Sequence, residues 1–114
     1  MMNAVERYLA PTTLAQALAA LATPGGATVL AGGTDLMPQA NAGRVKAAST
    51  LLNIRRVQGL SAVALDGNAL VIGTLATLAT LQHDALVRAQ APLLVDAIDH
   101  FASDQIRNAA TLGG

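Results

Sequence analysis

The sequence predicts an α+β fold. Three observations carry this: an amphipathic helical stretch over residues 14–21 between two short strand-type runs, a hairpin signal at Asp66-Gly67-Asn68, and helical spacing that resumes after Pro92. The first suits a parallel crossover and the second antiparallel pairing, so the two kinds of pairing coexist in one chain.

Residues 6–10 suit a first strand that Pro11 ends. Thr13 and Gln16 have capping-box spacing, and Leu14, Ala17, Leu18 and Leu21 then recur on one helical face. Thr23-Pro24-Gly25-Gly26 stops that helix, because Pro cannot continue it. Residues 27–31 form a second apolar strand that runs into Gly32-Gly33. Residues 34–38 suit a helical turn, and 39–46 are polar, small and aperiodic enough to be loop. A third strand is expected at 49–54 and a turn at 57–60. The hairpin pairs 62–65 with 69–73. Residues 77–87 have weaker helical character, and Pro92 opens a helix along which Leu94, Ala97, Ile98 and Phe101 share a face. The break near residues 55–60 divides the chain into expected subdomains at 1–56 and 57–114.

Composition excludes several classes of function. Lys plus Arg number 7 against 7 for Asp plus Glu, giving zero net charge with no basic cluster beyond Arg55-Arg56, so no nucleic-acid footprint is present. With no Cys and only His83 and His100, there is no disulfide, thiolate nucleophile, iron–sulfur ligation or zinc spacing. Any redox role must therefore rest on an organic cofactor. No apolar run reaches the length of a membrane span, and residues 1–10 lack a signal core, which gives the expectation of a cytoplasmic protein. Charged residues make up only 12% of the chain, about half the usual quarter, so part of the surface is expected to be covered.

The chemistry concentrates in two glycine motifs. In Leu30-Ala31-Gly32-Gly33-Thr34-Asp35-Leu36, paired glycines after a strand bring backbone N–H groups close to an anion, and Thr34 adds a hydroxyl. The same residues also serve as a plain strand-to-helix turn with Thr34 or Asp35 as N-cap. Asp35 is expected to cap that turn, since a carboxylate repels phosphate. The second motif, Arg107-Asn108-Ala109-Ala110-Thr111-Leu112-Gly113-Gly114, repeats the pattern at the other end, and two such loops suit the two ends of a pyrophosphate. Neither a Walker lysine nor a G-x-G-x-x-G spacing is present. Arg107 is expected in a surface ion pair, His83 and His100 receive no role, and Asp96, Asp99 and Asp104 are expected on a solvated helix face rather than at a metal. Spacing alone makes Phe101 a core anchor of its helix.

Ala31-Gly32-Gly33-Thr34-Asp35-Leu36 and Gln105-Ile106-Arg107-Asn108-Ala109-Ala110-Thr111-Leu112-Gly113-Gly114 together resemble the FAD-binding medium subunit of the molybdenum hydroxylases, the xanthine, carbon monoxide and aldehyde dehydrogenase group. Tyr8-Leu9-Ala10-Pro11-Thr12, Leu51-Leu52-Asn53-Ile54 and Leu70-Val71-Ile72-Gly73 before Thr77-Leu78 fall in the family's order. The resemblance implies a two-subdomain FAD-binding fold with the flavin between the subdomains. It implies that Leu30, Ala31, Gly32, Gly33, Thr34, Asp35 and Leu36 approach the pyrophosphate from one side and Ala110, Thr111, Gly113 and Gly114 from the other. It places Phe101 near the isoalloxazine ring.

It further implies that FAD passes electrons from iron–sulfur clusters to NAD or another acceptor, with the molybdenum cofactor on a large partner subunit and two [2Fe-2S] clusters on a small one. No catalytic acid, base or metal ligand is then required of this chain. The family's subunit continues past the second Gly-Gly, so the expectation is an N-terminal fragment with an incomplete second subdomain, inactive alone. The alternatives are another flavin oxidase of the wider two-subdomain fold, or a non-catalytic α+β interaction module without flavin.

Overall fold

The computed structural model describes residues 6–33, 50–101 and 103–114. The expected helical turn and loop over 34–46, and with them Thr34, Asp35 and Leu36, lie outside the described residues. The chain divides into two compact units, Met1–Gln58 and Gly59–Gly114.

In the first unit, β1 (Arg7–Leu9), α1 (Leu14–Ala22), β2 (Thr28–Leu30) and β3 (Thr50–Asn53) follow in order. The sheet order is β1-β3-β2, with Tyr8 opposite Leu51 on one side, Val29 opposite Leu52 on the other, and both pairings parallel. Helix α1 thus connects two strands that flank a third. Leu51 and Leu52, neighbours on the central strand and so on opposite faces of it, are 7% and 0% exposed. Burial on both faces is what a parallel sheet requires. Thr13 caps α1 by accepting from the Gln16 N–H at 3.2 Å, and the Gln16 side chain returns to the N–H of Thr12 rather than that of Thr13. The apolar stripe expected of α1 is only partly covered: Ala17 is buried, while Leu14, Leu18 and Leu21 stay about half exposed.

In the second unit, β4 (Val63–Asp66) and β5 (Ala69–Ile72) form an antiparallel hairpin with Asp66 opposite Ala69, which leaves a two-residue loop. Four helices follow among the described residues: α2 (Leu78–His83), α3 (Ala85–Gln90), α4 (Pro92–Asp99) and α5 (Asp104–Ala109). Ala76, Leu81, Val87, Val95 and Ile98 form the core, and Leu70, Ile72 and Leu94 pack on it.

Three expectations need correction here. The helix expected over 77–87 is two helices, because Asp84 adopts extended dihedrals and its carboxylate accepts from the Val87 N–H at 3.1 Å, starting a new helix. Phe101 is not a core anchor. His100 closes α4 two residues after the last core position, so the helical spacing does not reach Phe101, which is 49% exposed. Asp96 and Asp99 lie on α4 but Asp104 opens α5, so the three do not share a helix face.

Candidate functional site

The first glycine motif is set by the end of β2. Leu30 and Ala31 are buried, and their carbonyls are both occupied: Leu30 O accepts from the Ile54 N–H at 3.0 Å, and Ala31 O accepts from Arg55 Nε. Sequence reasoning gave Arg55 no part in this loop, although Arg55-Arg56 was the one basic pair it noted. Gly33 follows with φ 75°, a left-handed conformation that a side chain would strain. The strand end is thus buried with both carbonyls held, and a left-handed glycine follows it. On the same sheet, Asn53 Nδ2 donates to the Tyr8 hydroxyl at 2.6 Å, and Asn53 Oδ1 accepts from the Arg55 N–H at 2.9 Å. That pair ties β1, β3 and Arg55 together.

The second motif is anchored differently. Ser103 caps α5, accepting from the Ile106 N–H, and the helix ends at Ala110, which is buried. Residues 110–114 then run antiparallel to 74–78. Leu78 N–H donates to Ala110 O, Leu112 N–H to Ala76 O and Gly113 N–H to Thr74 O, at 2.9–3.0 Å, around an isolated bridge between Thr77 and Thr111. A turn closes the segment, with the Gly114 N–H on Thr111 O at 3.2 Å and the Thr111 hydroxyl on Gly114 O at 2.6 Å.

The two terminal glycines are needed for different reasons. A Cβ on Gly113 would overlap the Thr74 hydroxyl and come within 2.8 Å of Thr74 Cβ, so here an internal neighbour excludes a side chain. Gly114 has φ 110°, a backbone conformation that favours glycine. Gly73 is a third constrained glycine: a Cβ there would fall on the Leu60 carbonyl and 2.8 Å from Ser61 N. Thr74 and Gly73 were not singled out as site residues from sequence, because their partners are distant along the chain.

Arg107 forms the expected ion pair with Asp104, and also donates from Nη1 to the Phe101 carbonyl at 2.9 Å. His83 is exposed, and His100 donates from Nδ1 to Asp96 O at 2.9 Å. Among the described residues, no cluster of three His, Cys, Asp or Glu side chains could hold a metal, and no helix is long and apolar enough to cross a membrane.

Comparison with known proteins extends these local observations. Residues 3–114 match the family described as the FAD binding domain in molybdopterin dehydrogenase. The chain is 34% identical over 108 residues to the carbon monoxide dehydrogenase medium chain of Hydrogenophaga pseudoflava, covering 94% of this chain and 37% of that one. It is 36% identical over 109 residues to the xanthine dehydrogenase FAD-binding subunit of Escherichia coli O157:H7, again covering 94% of this chain and 37% of that one. Among solved structures, the reconstituted CO dehydrogenase from Oligotropha carboxidovorans superposes with a TM-score of 0.91 at 29% identity, covering 100% of this chain and 40% of the other. The chain thus spans somewhat over a third of the length of the curated relatives it matches. On the match over residues 3–114, it belongs to the family of FAD-binding domains of molybdopterin dehydrogenases.

Proposed function

We propose that this chain supplies the FAD-holding N-terminal part of the flavin subunit of a multisubunit molybdenum-containing oxidoreductase, with FAD-binding subdomains at 1–56 and 57–114. The observation that carries the proposal is the family match over residues 3–114, which takes in both glycine motifs. In this proposal Leu30 to Leu36 meet the pyrophosphate through backbone N–H groups, with the Thr34 hydroxyl beside them. The left-handed Gly33 and the scarcity of charge in the chain support recognition by backbone rather than by Lys or Arg. Ala110, Thr111, Gly113 and Gly114 form the second loop for the pyrophosphate, where the Thr111 hydroxyl is the donor able to turn. Phe101, half exposed, offers an aromatic surface for a flat ring.

When bound, FAD exchanges single electrons for two-electron delivery to NAD or another acceptor. This chain's residues hold and orient the cofactor and contribute no acid, base or nucleophile. The single electrons come from two [2Fe-2S] clusters on a small subunit, supplied in turn by a molybdenum cofactor on a large one. The half-exposed leucines of α1 and the low charge content support subunit contacts.

FAD titration of the natural-length polypeptide tests the assignment. Gly33→Ala and Gly25→Ala both force a side chain onto a positive φ, 75° and 87°, at a cost of about 1–2 kcal/mol each. FAD uptake by the wild type, weakened about tenfold or more by Gly33→Ala and unchanged by Gly25→Ala, is expected. Absence of FAD uptake, or equal weakening by the two variants, would refute the assignment.

A further inference from the structure

Arg107 does more than an exposed ion pair requires. Its side chain is only 13% exposed, whereas Asp104, its partner one helical turn earlier, is 88% exposed. A pair with one member in water contributes little, so Asp104 alone does not account for an Arg107 side chain this far shielded. A further contact is Nη1 on the Phe101 carbonyl at 2.9 Å, which spans the connection between α4 and α5. The Phe101 N–H is already held by Ile98 O at 2.9 Å. Both backbone polar groups of Phe101 are therefore fixed while its ring remains half exposed. The backbone of Arg107 belongs to the same short helix that delivers Ala110 to its bond with Leu78. One planar side chain thus links the exposed aromatic to the element that carries the terminal glycine turn, and a fork with several donors in one plane is what such a link needs.

We propose that Arg107 is a positioning residue which, through the Phe101 carbonyl, sets where the Phe101 ring stands against the flavin. This rests on the FAD-binding assignment above. In the natural-length polypeptide, Arg107→Gln is expected to weaken FAD binding about tenfold or more, as loss of a charge-assisted bond implies, and to alter the visible absorption and circular dichroism of the bound flavin. Phe101→Leu is expected to give the same spectral change, and the double variant no further one, because both act through one ring. Asp104→Asn is expected to change affinity less than about twofold.

A protein that merely loses melting temperature on Arg107→Gln, with flavin spectrum and affinity unchanged, overturns the proposal. So do spectral changes that add in the double variant. Should Arg107→Gln fail to fold, Arg107→Lys, which keeps stem and charge but loses the fork, decides on the same readouts: a wild-type flavin spectrum refutes the role. Failure of the wild type to take up FAD refutes the functional assignment itself. FAD uptake with indifferent Arg107 variants refutes only the positioning role.

Discussion

Gly113→Ala separates an internal demand for glycine from one imposed by a ligand. The new Cβ would stand 2.8 Å from Thr74 Cβ, about 1 Å short of the ~3.5–4.0 Å at which carbons rest, and on top of the Thr74 hydroxyl. Rotating Thr74 moves its hydroxyl but not its Cβ. Forcing an extra methyl into packed structure costs about 1–3 kcal/mol. The segment can escape by detaching, which sacrifices the bonds from Leu112 to Ala76 and from Gly113 to Thr74, and each is worth about 1 kcal/mol. The smaller route wins, so the expected loss is about 2 kcal/mol, or roughly 30-fold faster amide exchange at Leu112. In a Thr74→Gly background the two closest contacts are gone and the nearest one left is the residue-74 carbonyl at 3.1 Å, so the cost of Gly113→Ala is expected to fall below about 0.5 kcal/mol. Exchange at Leu81, fully buried in the core of the same unit, reports whether the loss spreads. If Gly113→Ala costs less than about 0.5 kcal/mol without FAD, or costs the same with and without Thr74→Gly, the steric argument is wrong.

Two further substitutions address the same unit. Gly73→Ala is expected to cost about 2–4 kcal/mol in urea unfolding, because its Cβ meets the backbone of Leu60 and Ser61, and relief would break the Gly73-to-Ala62 and Leu75-to-Leu60 bonds of 2.8 Å; a loss below about 1 kcal/mol would contradict this. Asp84→Ala, which removes the cap of α3, is expected to cost about 1 kcal/mol and Asp84→Ser far less, whereas equal effects of the two would show that the carboxylate oxygen is not acting as a cap.

Local rules carried much of the fold. The hairpin was legible because its turn residues and its strands are contiguous, and α1 because Thr13, Gln16 and the leucine spacing all lie within one stretch. The order β1-β3-β2 was not, since its two parallel pairings join residues 43 and 23 positions apart and leave no local mark. The helical stretch over 77–87 misled for a different reason. An apolar pattern has no term for a side chain that competes with the backbone, and Asp84 does so by taking the Val87 N–H for itself. The helix at Asp104–Ala109 was hidden inside a segment whose glycines suggested a loop, although Ser103 had the position of an N-cap.

The candidate site shows where such reasoning stops. Two Gly-Gly pairs read alike as letters, yet each glycine answers to its own surroundings. Gly33 and Gly114 are constrained by backbone dihedrals, which neighbouring residues can signal; Gly113 is constrained by Thr74, which they cannot. Phe101 shows the converse case. Helical spacing points its ring inward, but α4 closes at His100 and the ring is half exposed. Hydrophobic periodicity counts positions along a helix and is silent about where the helix ends, so an apolar residue just past a C-cap is where core and binding surface are most easily confused. Leaving a large aromatic half exposed forgoes about half of the ~1.5–3 kcal/mol that full burial gives, roughly 1 kcal/mol. Both backbone groups of Phe101 are held, the N–H by Ile98 O and the carbonyl by Arg107, while its ring stays half exposed, and under the proposed function that half-exposed face is what a flat ring would meet.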